Sequence, residues 1–392
     1  MIKTLLFAVM LIGTLPNAYA APELVTDSAV LLMRHGVRPP THEPPLDPAI
    51  APSPWPSWEV PDGYLTPHGA QAIQRLAGYD RTMLASAGLL PATGCPAGVS
   101  IYADVDERTV KTGEAFAAGL APGCNIPTFH ATSAKDPLFS PLDGTAPGFD
   151  ANTAKAAMLA AAGGSLSALP AANAALFQKM QNTLAPGDTR FLRLSAKISA
   201  KIPGHVPKLS GPIAEGASAS EDFLLEYLDD KPMSDVAWGR ASEADVAALL
   251  ALHPLEYTLT ARPPYIANRA AGPLARRILA SLIGGEKLSV LVGHDTNIAD
   301  LGGMLNLHWS LGGYPADDPP PGGGLLFFLS HDRATGEKYV SISYQVQTMD
   351  QIRHLDAAAP ASQPLAIPGC GNSTAPTACT LAGFTKLIGA QG

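Results

Sequence analysis

Residues 34–39 read Arg-His-Gly-Val-Arg-Pro and follow directly on the apolar run Ala29–Met33. A strand ending in such a sequence presents an imidazole at an exposed sheet edge with a guanidinium on either side. Arginine offers a planar fork of donors that matches phosphate oxygens better than the point charge of lysine. Two fixed cations beside a histidine disfavour its protonated form and leave a neutral, nucleophilic ring. Glycine after the histidine lets the backbone turn sharply and lets a ligand come close. A lone histidine reads by default as a satisfied structural residue. This many specified positions behind a strand point instead to a group that handles phosphate.

Two further clusters have the same placement. Val99–Ala103 ends at Asp104-Val105-Asp106-Glu107-Arg108, and Leu288–Val292 ends at Gly293-His294-Asp295. Alone, a His-Asp pair reads as a satisfied surface pair and Arg108 as a solvated charge. Arg108 opens a helical pattern, where a cation opposes the helix dipole, and that placement sets an anion-binding role level with the solvated one. Each apolar run leads into a helical pattern, clearest over Thr109–Leu120. Strands alternating with helices predict a parallel sheet with helices on its faces. Ligands of such sheets bind beyond the carboxyl ends of the strands, where all three polar clusters lie.

Other elements must hold these strands in place. Thr66-Pro67 predicts an N-cap and first helical residue, with Gly88 closing the helix. Pro39 to Asp62 is crowded with prolines, contains Trp55 and Trp58, and reads as a long loop walling a pocket. From about Asp150 to Leu252 the composition turns Ala- and Leu-rich, predicting a helical insertion that caps the sheet. Leu325–Ser330 and Tyr339–Gln347 flank a turn with Asp332 and Gly336, predicting a hairpin. The run Pro319–Gly324 reads as a local loop. The predicted fold class is α/β, a mixed, mostly parallel central sheet flanked by helices with an inserted all-α cap. The α/β sheet domain is expected over 21–149 and 258–392, with the cap over 150–257.

The chain begins with Lys3, an apolar run from Leu5 to Leu15 and Ala18-Tyr19-Ala20. This is the pattern of a secretory leader, so residues 1–20 are expected to be removed and the protein to be periplasmic or secreted. The run is too short for a membrane span. With 34 acidic against 26 basic residues the chain carries a net charge of −8, which argues against nucleic acid as a partner. Four cysteines in an exported chain predict disulfides. Cys370 and Cys379 close a short polar loop, which leaves Cys95 with Cys124. No pair has the Cys-x-x-Cys spacing of a zinc site.

The signature Arg-His-Gly-x-Arg-x-Pro, here residues 34–40, resembles that of the histidine acid phosphatases, branch 2 of the histidine phosphatase superfamily. That branch includes bacterial periplasmic phytases and glucose-1-phosphatases. Its second signature, His-Asp, is matched at His294-Asp295. Stretches 103–109, 111–116, 238–240 and 381–385 also resemble the enterobacterial periplasmic phytase, so the resemblance spans nearly the whole mature chain. It implies a phosphoglycerate-mutase-like fold in which His35 accepts the phosphoryl group. Arg34, Arg38, Arg108 and His294 would hold the phosphate, and Asp295 would protonate the leaving oxygen.

Thr41 matches a family threonine near the substrate, and His42, Glu221 and Arg269 are candidate substrate contacts. By sequence logic alone Glu221 reads as an exposed charge on the cap and Arg269 as a solvated one. His42 stands where the enterobacterial enzyme has lysine, some family disulfides are missing, and the stretch from Lys201 to Ser220 is shorter. The expectation is a metal- and cofactor-independent monomer with an acidic optimum, acting on a small phosphate monoester, either phytate or a sugar phosphate. A metal-dependent phosphohydrolase and an exported phosphate-ester binding protein are the readings from other classes.

Overall fold

The computed structural model describes residues 23–391 except 144, 145, 147, 202, 203, 312 and 371–376. The expected leader, 1–20, lies outside the described residues. In chain order the elements are β1 (Leu24–Arg34), α1 (Pro67–Ser86), β2 (Val99–Ala103), α2 (Glu107–Leu120), β3 (Thr128–His130), α3 (Ala151–Ala161), α4 (Leu169–Ala172) and α5 (Ala174–Leu184). There follow β4 (Lys197–Ser199), β5 (Lys208–Ser210), α6 (Pro212–Leu228), α7 (Glu243–Leu249), α8 (Leu252–Thr260), α9 (Pro264–Ile283), β6 (Leu288–Gly293) and α10 (Asp295–Met304). The chain ends with β7 (Gly324–Asp332), β8 (Lys338–Val346), α11 (Met349–Arg353), β9 (Ala361–Leu365), β10 (Ala378–Thr380) and α12 (Leu381–Gln391).

The central sheet runs in the order β10-β8-β7-β1-β6-β2-β3, with β9 also on β8. The pairs β1–β6, β6–β2 and β2–β3 are parallel, and the hairpin β7–β8 extends the sheet antiparallel from the other edge of β1. β1 shows why a continuous apolar run serves here. Val30 and Leu32 point into the larger core with α9 and α10, while Leu31 and Met33 join α1 and α2 on the opposite face. Alternation along a strand feeds both faces, so both must be apolar. Leu31, Leu32 and Met33 are each at most 1% exposed, and such burial is worth about 1.5–3 kcal/mol per side chain.

α1 opens as the sequence predicts. Thr66 Oγ1 accepts a bond from Gly69 N at 2.9 Å, and Gly88, at φ +74°, follows the helix end. Both expected disulfides, Cys95–Cys124 and Cys370–Cys379, are present. The stretch expected to be purely helical differs in one respect, because it also contains the hairpin β4–β5. Each of its strands is three residues long, Lys-Ile-Ser and Lys-Leu-Ser, too short to reveal a period. Helix α6 is buried along most of its length, and its Phe223, Leu224 and Leu228 share one continuous core with Val30 and Leu32 of the sheet.

Asp80 of α1 is buried and accepts bonds from Gln345 Nε2 of β8 at 3.2 and 3.1 Å. Burial pushes its carboxyl up to about 7 despite that amide. The native state therefore keeps a proton that the unfolded chain loses near pH 4, and this stabilising contribution disappears as pH rises to about 7. Asp80→Asn is expected to flatten the fall in Tm over that window and to be the more stable protein at about pH 7.5. Parallel Tm profiles for the two proteins would refute it.

Candidate active site

The register of the parallel strands assembles the site. Arg34 pairs with Gly293, and Ala103 with Val292, so the next residues, His35, His294 and Asp104, emerge side by side. Backbone bonds continue past the strand ends, from His35 N to Gly293 O at 3.0 Å and from Asp104 N to Val292 O at 2.9 Å. On the other side of β1 the Pro/Gly run is more than a local loop. Arg34 N donates to Gly323 O at 2.9 Å and Gly322 N to His35 O at 3.1 Å. Gly36 adopts no left-handed conformation. It is needed because a Cβ would meet Leu65 Cδ1 at 2.8 Å and the Gly69 carbonyl of α1 at 3.3 Å.

His35 is buried, and its Nδ1 lies 2.8 Å from its neighbour's carbonyl, Gly36 O. A carbonyl can only accept, so Nδ1 carries the proton and Nε2 keeps a free lone pair. Burial, then Arg34, Arg38, Arg108 and His294, hold its pKa well below the usual histidine range. Arg34 is itself fully buried. Its Nη2 pairs with Glu221 and lies 2.9 Å from Asp295 Oδ2, while Nη1 donates to Pro319 O at 2.8 Å. Burial alone would raise the Asp295 carboxyl, but Arg34 and His253 hold it well below the carboxylate range. The same two cations outweigh burial at Glu221 and hold it low.

His294 is fixed from both ring nitrogens. Nε2 donates to Asp104 Oδ2 at 2.8 Å, and Nδ1 lies 3.4 Å from Arg108 Nη2. That guanidinium also bonds Asp106 Oδ2 at 2.7 Å. Asp104, Asp106 and His294 have donor atoms within 4.8 Å of one another, a set that could hold a cation. Arg108 already neutralises Asp106, so the charge set suits an anion shared between Arg108 and His294 better than a divalent ion. α10 starts at Asp295, and its first turn is braced by Asn297, whose Oδ1 accepts from His294 N at 2.9 Å. The positive end of that helix also faces the cleft.

The cleft has two arms that share Arg38 and Asp295. One, about 490 Å³, is lined by His35, Arg108 and His294 and runs past Phe139 to Ile266 and Ala270. The other, about 240 Å³, lies between Thr41 and His42 on one side and Glu221, Asp222, His253, Glu256 and Tyr257 on the other. A free imidazole nitrogen, three guanidiniums and a carboxyl beside them can transfer a phosphoryl group without further parts.

A family model described as "Histidine phosphatase superfamily (branch 2)" matches residues 27–345. The chain is 36% identical over 405 residues to phytase AppA of Escherichia coli, covering 95% of this chain and 93% of that one. The chain belongs to the histidine phosphatase superfamily. It is also 29% identical over 367 residues to the glucose-1-phosphatase of Salmonella typhimurium, covering 89% and 87%. Hafnia alvei phytase in complex with myo-inositol hexakis sulphate superposes with a TM-score of 0.86 at 33% identity, covering 95% and 98%. This histidine phosphatase is an enzyme with the mixed sheet and flanking helices of those relatives.

The histidine phosphatase site gathers His35, Arg34, Arg38, Arg108, His294 and Asp295, with Thr41 and His42 exposed on the smaller arm. Glu221 is not the exposed cap charge that its sequence context suggests. It is 6% exposed, and the inward turn of α6 sets it against Arg34. Arg269 is exposed and does not itself line either arm, although its neighbour Ala270 lines the larger one; its guanidinium lies 3.8 Å from the Tyr265 ring centre. Sequence reasoning missed His253, whose Nδ1 donates to Asp318 Oδ1 at 2.7 Å and faces Glu221 at 3.9 Å. Burial opposes its charge, yet Asp318 and Glu221 raise it to about 9. A lone histidine near a helix start and an Asp pair before prolines give no local signal of that contact.

Arg34→Met would strip the buried Glu221 and the partly exposed Asp295 of their guanidinium, a loss of about 3–5 kcal/mol near neutral pH. Both carboxyls are held low in the native state, so their contribution is present above about pH 4 and lost in stronger acid. Urea unfolding is expected to show a large gap between variant and wild type at about pH 7 that narrows below about pH 4. Equal stability at neutral pH would contradict the assignment.

Proposed function

We propose that this phosphatase hydrolyses phosphate monoesters through a phosphohistidine at His35 Nε2, with phytate as its substrate. The observation carrying this reading is the Gly36 carbonyl on His35 Nδ1, which leaves Nε2 free on a ring that burial and the arginines hold neutral. In the first step the Nε2 lone pair attacks phosphorus and the ester P–O bond breaks. Asp295 gives its proton to the departing alkoxide. Water then attacks phosphorus, its proton passes to Asp295, and the P–N bond breaks to return the electron pair to Nε2. Arg34, Arg38, Arg108 and His294 would bind the equatorial oxygens, where charge spreads in the transition state. His42 and Thr41 would contact the rest of the substrate.

Asp295 is ionised in the resting site, so it must gain a proton to act as an acid. A bound phosphate offsets the guanidinium charges that hold it low, and acid solution supplies the proton, which supports an acidic optimum. The two disulfides fit an exported protein, and the leader-like start supports periplasmic or secreted placement. In this reading 150–257 serves as the cap over the sheet domain. A second reading, a sugar-phosphate or general acid phosphatase, is favoured by one observation: Arg269 is not among the residues lining either arm.

Initial phosphate release at about pH 4.5 in a chelator would compare phytate, glucose 1-phosphate and an aryl phosphate. Phytate is expected to be preferred, and His35→Ala to abolish turnover of all three. Preference for glucose 1-phosphate would select the second reading, and loss of activity in chelator would sink the metal-free mechanism. Asp295→Asn is expected to cost phytate about 10²–10⁴-fold in kcat and the aryl ester much less, since a phenolate leaves without a proton. Equal losses for the two esters would remove Asp295 from the acid role.

A further inference from the structure

The smaller arm has an unusual wall. Asp222 on α6 and Glu256 on α8 both line it, and among the described residues neither carboxyl receives a hydrogen bond. Asp222 is only 6% exposed and Glu256 is half-buried. The arm joins the phosphoryl pocket at Arg38 and Asp295, so an ester held there can extend between these acids and the loop bearing Thr41 and His42. The charged groups facing Asp222 are Arg38 and Glu43 from that loop and Glu221 and Glu226 from its own helix. Those facing Glu256 are His253 from its own helix, Asp295 from α10 and Glu215 from α6. Burial leads in both cases and pushes Asp222 up to about 8 and Glu256 up to about 7. In acid both are therefore carboxylic acids, unlike Glu221 and Asp295, which Arg34 holds ionised.

A carboxylic acid has an O–H to donate to a phosphate oxygen, whereas a carboxylate has none and repels it. We propose that Asp222 and Glu256 form a protonation gate on the leaving-group arm, admitting a polyanionic substrate when protonated and excluding it when ionised. The gate acts on the part of the substrate that does not react, so it narrows the substrate range as pH rises. It rests on the phosphatase reading above and deepens it. Phosphate-rich esters would be handled in acid only, while esters with an uncharged leaving group would persist to higher pH.

The test uses myo-inositol hexakis sulphate as a competitive inhibitor of aryl phosphate hydrolysis by the whole enzyme. Its sulphates stay ionised throughout, so any change in Ki with pH belongs to the protein. Ki is expected to rise steeply from about pH 4.5 to about pH 8 in the wild type. In Asp222→Asn/Glu256→Gln the rise should be at least about tenfold smaller. Inorganic sulphate, which needs only the arginine pocket, should keep the same pH profile in both proteins. Glu256→Gln alone, at the half-buried position, should show part of the effect and serves if the double variant does not fold. The same rise in Ki in wild type and variants would overturn the gate, as would absence of inhibition at any pH or an equal change for inorganic sulphate. Failure to hydrolyse phytate with the Ki pattern intact would overturn the phytate reading alone.

Discussion

A guanidinium with no access to water is the constraint around which this molecule is arranged. Arg34 is 0% exposed, and a buried charge is tolerable only when paired and hydrogen-bonded. Its partners come from everywhere: Glu221 from α6, Asp295 from the start of α10 and the Pro319 carbonyl from the loop before β7. The central strand, the helical insertion and the C-terminal part of the sheet thus converge on one side chain. Any shift of α6 relative to β1 would leave Arg34 or Glu221 uncompensated, so α6 is tied to the sheet by charge as well as by its apolar contacts.

The same arrangement divides protons among neighbouring groups. The arginines that keep His35 neutral also keep Asp295 ionised in the resting site. His253 stays protonated beside Asp318 and extends the positive field behind Glu221. The unliganded site is consequently poised to receive an anion whose own charge then changes the balance at Asp295. In the proposed mechanism, substrate binding and proton uptake at Asp295 are coupled through electrostatics.

Much of this was legible in the sequence, for identifiable reasons. β1, β2 and β6 announce themselves because strands buried on both faces are nearly continuous apolar runs, and the polar residues that follow them fall at one sheet edge by topology. The Thr66 cap and the β7–β8 hairpin carry local signals of their own. What escaped are contacts between residues far apart in the chain. Glu221 meets Arg34 across 187 positions and His253 meets Asp318 across 65. No period or spacing encodes such a pairing, and a glutamate on a buried helix looks like one on an exposed helix until the neighbouring element is placed. The edge strands β9 and β10 and the β4–β5 hairpin are too short or too irregular to show alternation. The run Pro319–Gly324 was visible as a loop, but its role in clasping Arg34 and His35 was not.

The topology of the sheet also orders events in time. β1 is the first strand made, yet its two neighbours are β6 and β7, and the Arg34–Pro319 bond spans 285 positions. Until about three-quarters of the chain exists, β1 has no edge to join, and loop closure over such a distance is slow. Of the two disulfides, Cys95–Cys124 spans 29 residues inside these loops and shortens them only a little, and Cys370–Cys379 lies beyond them. An apolar strand therefore waits unpaired through most of synthesis, the interval in which such a segment is most exposed to aggregation. His35 is among the first side chains of the site to be made and among the last to find its place.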